Sequence, residues 1–220
     1  MAAIEITSQL IADRYSAFLK GRRSAEERYS SFDLCYYYFI SNKGNLVGEN
    51  LETSCLQLWA FLSSWGMVAR GNAMQGKSYA SLKAVIQFIN DNPQYYFSSI
   101  SSHSYADEML RLYHSLKTVL CLSQASQKTL ITKIMLGVYA CIPAFDQYVC
   151  ETLGTSTIGD LSKRNIKSIV SIYDEHKEQI DSLVATTHVF SFNGVQVKKL
   201  NYSPAKIIDM IAFTRQKVNQ

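Results

Sequence analysis

LSQASQKTLITKIMLGVYACIPAFDQYVCETLG, residues 122–154, is the stretch whose reading decides the fold. It divides into a polar turn from Ser123 to Gln127, an apolar helix from Lys128 to Ala140, a loop holding Pro143, and a second helix opening at Asp146. Ser126 is the expected N-cap of the first helix and Asp146 of the second, because both side chains accept the backbone N–H groups that a first turn leaves free. Lys128 then falls in a first turn, where the partial positive charge of the helix end disfavours an ammonium and lowers its pKa. A lysine tuned in that way is the usual form of an amine nucleophile. The carboxylate of Asp146, at the mouth of the next helix, is expected close by.

Outward from this segment the apolar spacing stays helical. Leu51, Cys55, Leu58, Trp59, Leu62 and Trp65 recur in steps of three and four, as do Leu82, Val85, Ile86 and Ile89. Met109, Leu112, Tyr113, Leu116 and Leu120 follow the same rule. The aromatic run Tyr36 to Phe39 points several ways round a helix and reads as core packing, as do Trp59 and Trp65. Ser203 before Pro204 marks the start of a last helix, a capping residue followed by proline at the first helical position. Only Val189–Phe192 and Val195–Val197 break the pattern; with Asn193-Gly194 between them they predict a two-strand hairpin. The expected fold is therefore mainly α, two-lobed, with one small C-terminal β-hairpin. Residues 46–155 form a central helical lobe, and 1–45 with 156–220 form the second, within one compact unit.

Composition narrows the class. With 220 residues, 47% hydrophobic and 18% charged, the chain has the make-up of a globular protein. No stretch approaches the ~20 apolar residues of a membrane span, and the first residues lack the order of a signal peptide. An intracellular, cytoplasmic protein is expected, with no membrane partner. The net charge of +4 permits an anionic partner without requiring one. Five dispersed cysteines form no CxxC and four histidines show no ligand spacing, so neither a metal nor a disulfide framework is indicated. Nothing in the sequence specifies an oligomeric state.

The segment resembles the helix-hairpin-helix core of the endonuclease III branch of DNA glycosylases, whose pattern runs L-P-G-V-G-x-K-T-A, an apolar helix, an apolar loop and D-T-H-V. Leu122 matches the opening leucine, Ala125 the apolar position and Lys128-Thr129 the K-T pair. Asp146 stands eighteen positions after Lys128, the spacing of that branch's catalytic lysine and aspartate, and Val149 and Leu153-Gly154 agree beyond it. The resemblance covers 33 of the 220 residues. Gln124 and Ser126 stand where the family has its hairpin glycines, and Gln147 and Tyr148 replace the threonine and histidine after the aspartate. The family's four-cysteine iron–sulfur motif is absent, so no cluster or other cofactor is expected.

The resemblance implies a DNA glycosylase that extrudes a damaged or modified base from double-stranded DNA. Lys128 would attack the sugar C1′ to give a Schiff base with abasic-site lyase activity, and Asp146 would stabilise the cationic sugar. Ser126, Gln127, Lys163, Arg164 and Lys167 would hold the DNA backbone. Arg70 and Gln75, in the glycine-rich loop from Gly66 to Gly76, and Tyr148 are candidates for a wedge or for the base pocket. A non-catalytic helical DNA-binding or interaction module of the same architecture stays open beside it. More distant is a HEPN-type ribonuclease toxin, whose arginine and histidine lie four to six residues apart. Here Arg111 and His114 are three apart, and Arg164 and His176 twelve.

Overall fold

The structure is a computed structural model that describes residues 3–121 and 127–214. In chain order its helices are α1 (Ser8–Lys20), α2 (Ser31–Ser41), α3 (Leu51–Ser64), α4 (Lys83–Asp91), α5 (Tyr105–Leu120), α6 (Lys128–Tyr139), α7 (Gln147–Thr152), α8 (Lys163–Glu175) and α9 (Lys177–Thr186). The antiparallel strands β1 (His188–Phe190) and β2 (Gln196–Asn201) follow, and then α10 (Pro204–Phe213). The described part is thus mainly helical with one small sheet, and none of its helices is long and apolar enough to cross a membrane.

Most helices bury one stripe. In α4, Val85, Ile86 and Ile89 face the core while Lys83 and Gln87 face water, the period that an amphipathic helix requires. Two helices depart from this rule, α6 and α10. In α6 every residue except Thr129 is buried, because the helix lies among α2, α3 and α5. Gly137 lets it pack so closely: a Cβ there would stand 2.4 Å from the Phe61 ring on α3. α10 is buried nearly as completely against α1, α7, α8 and α9. It starts as the sequence predicts, with Ser203 Oγ accepting the Lys206 N–H at 3.0 Å and Pro204 at the first helical position.

One connected cluster of buried side chains runs from Ile11 to Ala212. α2, grouped with the second lobe by the sequence reading, packs on α3 and α6 of the central one. The hairpin turns at Gly194, whose φ of +75° suits glycine. The strands differ from the expected ones: the first stops at Phe190, the second runs from Gln196 to Asn201, and residues 191–195 rather than Asn193-Gly194 alone connect them. Arg22 anchors its base: the guanidinium donates to the His188 carbonyl and to Asp33 at 2.7 Å, and lies over the Phe190 ring.

A candidate active site between two lysine–aspartate pairs

After α6 the chain reverses at Ala140, which takes a left-handed φ of +51°, and runs back across the helix it has just left. Two threonines lash it there. Thr132 Oγ1 accepts the Phe145 N–H at 2.9 Å, and Thr129 Oγ1 donates to the Phe145 carbonyl at 2.9 Å. The return delivers Asp146 to the N-cap of α7, where Oδ1 accepts the Val149 N–H at 3.1 Å. Its second oxygen, Oδ2, lies 3.2 Å from Nζ of Lys133, a residue only 4% exposed whose ammonium is 4.9 Å from the centre of the Trp65 ring.

The lysine that meets Asp146 is therefore Lys133, not Lys128. Lys128 opens α6 as expected, but its ammonium donates to the Ser156 carbonyl and, at 3.5 Å, to that of Ile158. Lys128 and Lys133 are five residues apart, which places them about 140° apart round the helix, and the returning loop covers the face that carries Thr129, Thr132 and Lys133. The Lys128 pKa is lowered as the sequence suggests, but burial is the main cause. Cys150 stands within electrostatic reach of both sites: burial pushes its thiol up, the Lys128 charge pulls it down and the Asp146 charge adds to the rise.

Behind Asp146 lies a second pair. Lys206 Nζ is 2.8 Å from Asp209 Oδ2, and Oδ1 of the same carboxylate accepts the Ala144 N–H at 3.0 Å. The Lys206 ammonium also faces the rings of Phe32 at 4.6 Å and Phe18 at 5.0 Å. Both pairs line one pocket walled by Phe18, Phe32, Phe61, Trp65 and Phe213. The space it encloses is about 10 Å³, close to the least that holds one water molecule. The rim is aromatic: Phe213 meets Trp65 edge-on at 5.4 Å, and Tyr148, 40% exposed, meets Phe213 edge-on at 5.3 Å.

The other expected residues scatter. Ser126 lies outside the described residues. Gln127 is buried at the N-cap position of α6. Lys163, Arg164 and Lys167 line a groove of about 950 Å³ between α8 and the segment Ala3–Thr7, with Lys163 paired to Asp107 at 2.6 Å. Gln75 closes its own loop by accepting the Gly71 N–H at 2.6 Å, and Arg70 is exposed beside it; neither lines the aromatic pocket. Of the three wedge candidates only Tyr148 reaches its rim.

Lys133, Lys206, Asp209 and Phe213 escaped the sequence reading, and Trp65, read there as core packing, lines the pocket. A signal existed for the charged ones: each sits alone or with its partner inside an otherwise apolar helix that has to be buried, where a charge persists only when paired. No protein-family model matches the chain, and no curated protein or solved structure matches it.

Proposed function

We propose that the chain cleaves the N-glycosidic bond of a damaged or modified base in double-stranded DNA, in the manner of a helix-hairpin-helix glycosylase, with Lys133 and Asp146 as the working pair. The observation that carries this reading is the 3.2 Å contact between a buried lysine and a helix-capping carboxylate inside an aromatic-walled pocket. The chemistry follows from the two charges. As the C1′–N bond breaks, its electrons leave on the base, and the Lys133 ammonium supplies the proton that neutralises it. Asp146 stays ionised and stabilises the positive charge that develops on the sugar. The amine left on Lys133 then attacks C1′, and ring opening gives the Schiff base from which strand cleavage proceeds.

The exposed cations Arg164 and Lys167 are suited to hold phosphates. Their groove is bounded by Thr152 and Leu153, at the far end of α7 from Asp146, and six helical residues span about 9 Å. A base reaches the pair only when Phe213 swings aside, since the pocket is otherwise full. That closure favours a second reading, in which the architecture binds DNA without chemistry and both ion pairs serve the fold alone.

Borohydride trapping separates the two. Duplexes carrying uracil, 8-oxoguanine, an alkylated base or an abasic site are incubated with the protein and reduced. A covalent complex lost in Lys133→Ala and kept in Lys128→Ala is expected. Trapping that depends on Lys128 instead returns the nucleophile to the start of α6. No trapped complex and no released base on any duplex, with DNA binding intact, gives the second reading.

A further inference from the structure

The polar side chains that line the aromatic pocket are Lys133, Asp146, Lys206, Asp209 and Trp65. The first four satisfy one another in two ion pairs. Trp65 does not share in this: its indole Nε1 is buried and has no hydrogen-bond partner among the described residues. An orphaned buried donor costs stability, and a buried group left so usually has a reason.

The ring itself is tightly held. Tyr29 stacks on it at 6.0 Å, Phe213 meets it edge-on at 5.4 Å, and the Arg28 guanidinium lies 4.7 Å from its centre. With the Lys133 ammonium at 4.9 Å, two cations border one indole. Cations beside the π cloud draw electron density from the ring and make its N–H a better donor. The pocket is therefore lined by an indole whose one polar atom has no partner among the described residues, beside the pair that would do the chemistry.

We propose that Trp65 is the specificity-determining residue of this pocket, donating its indole N–H to a carbonyl oxygen or ring nitrogen on the edge of a planar base. The inference rests on the glycosylase reading for the identity of the reaction, but its test reaches the indole directly. The site selects bases that offer an acceptor and disfavours apolar rings of the same size, because a buried donor without a partner costs binding energy.

Two measurements decide it. In the ¹⁵N-labelled full chain the indole N–H signals belong to Trp59 and Trp65, and Trp65→Phe assigns them. Addition of uracil or hypoxanthine should move the Trp65 signal downfield, while benzene should not; no movement with either base overturns the proposal. In the second, Trp65→Phe removes the donor and leaves a smaller ring, so base release should fall about tenfold or more, and by a clearly larger factor than borohydride trapping on abasic DNA, which has no base to read. Equal losses on both substrates overturn it, since they mark a packing role. If the unmodified protein traps neither substrate, the glycosylase reading fails, and the indole signal alone then decides whether Trp65 binds a base.

Discussion

The two lysine–aspartate pairs of the pocket are alike in chemistry and unlike in construction. Lys206 and Asp209 are three residues apart on one helix, 2.8 Å apart in space, with side chains 2% and 8% exposed. The other carboxylate oxygen takes the Ala144 N–H. Lys133 and Asp146 come from two helices joined by a reversed loop, stand 3.2 Å apart and are 5% and 16% exposed. Here the carboxylate is shared between a helix cap and an ammonium. The first pair is a closed strut that holds the loop carrying Asp146; the second is longer and more exposed. Each carboxylate takes one backbone N–H and one ammonium, so what separates the two pairs is spacing and exposure.

The sharpest way to break this comparison is Asp209→Ala, which leaves Lys206 charged between two rings and the Ala144 N–H without its acceptor. A loss of about 3–5 kcal/mol is expected, the usual result of stripping one partner from a buried pair, and urea unfolding measures it. Lys206→Met combined with Asp209→Leu should recover much of that loss, because removing a buried pair as a unit spares its desolvation cost. A loss under about 1 kcal/mol for the single variant would put the pair on a level with an exposed one.

Asp146 sharpens the contrast at a smaller scale. Asp146→Ala loses both the cap and the ion pair, whereas the amide of Asp146→Asn still accepts the Val149 N–H. Their midpoints should differ by about 1 kcal/mol, the worth of an N-cap, and both should unfold later than Asp209→Ala. Equal stability of the two variants means that the cap contributes nothing.

The smallest effect belongs to an exposed pair, Lys117 and Asp160, 2.6 Å apart with both side chains at least 40% exposed. The hydrogen bond from Lys117 holds the Asp160 carboxyl below its ordinary value of 3.8. A lowered acid binds its proton less tightly in the folded state, so its stabilisation is complete above the unfolded value and disappears as pH falls through the folded one. Lys117→Ala should therefore cost about 0.5 kcal/mol at neutral pH and nothing at the acid end, as thermal melts across that range would show. A cost that persists in acid assigns the effect to lost packing.

What was legible in the sequence was local. The apolar faces of α4 and α5, the Asn-Gly hairpin, the Ser203-Pro204 start of α10 and the cap at Asp146 each depend on residues a few positions apart, and each is found in place. Partnership across the fold was not legible. Eighteen-residue spacing marked Lys128, yet which lysine of α6 meets the returning loop depends on the 100° step of the helix and on the two threonines that fix the loop's path. Lys133 could have been singled out as a lone charge in an apolar run. Trp65 could not, because nothing in its neighbourhood in the chain tells a packed indole from one with an idle N–H.

The pocket joins Phe18 on α1 to Phe213 at the end of α10. Its walls are thus contributed by residues almost two hundred positions apart, and no shorter contiguous stretch of chain contains them all. During synthesis, at about 5–20 residues per second, the central helices leave the ribosome well before α10 does. Until then the aromatic rings of α1 and α2 and the face of α6 wait without their cover. The pocket can close only once α10 has joined the helices made before it.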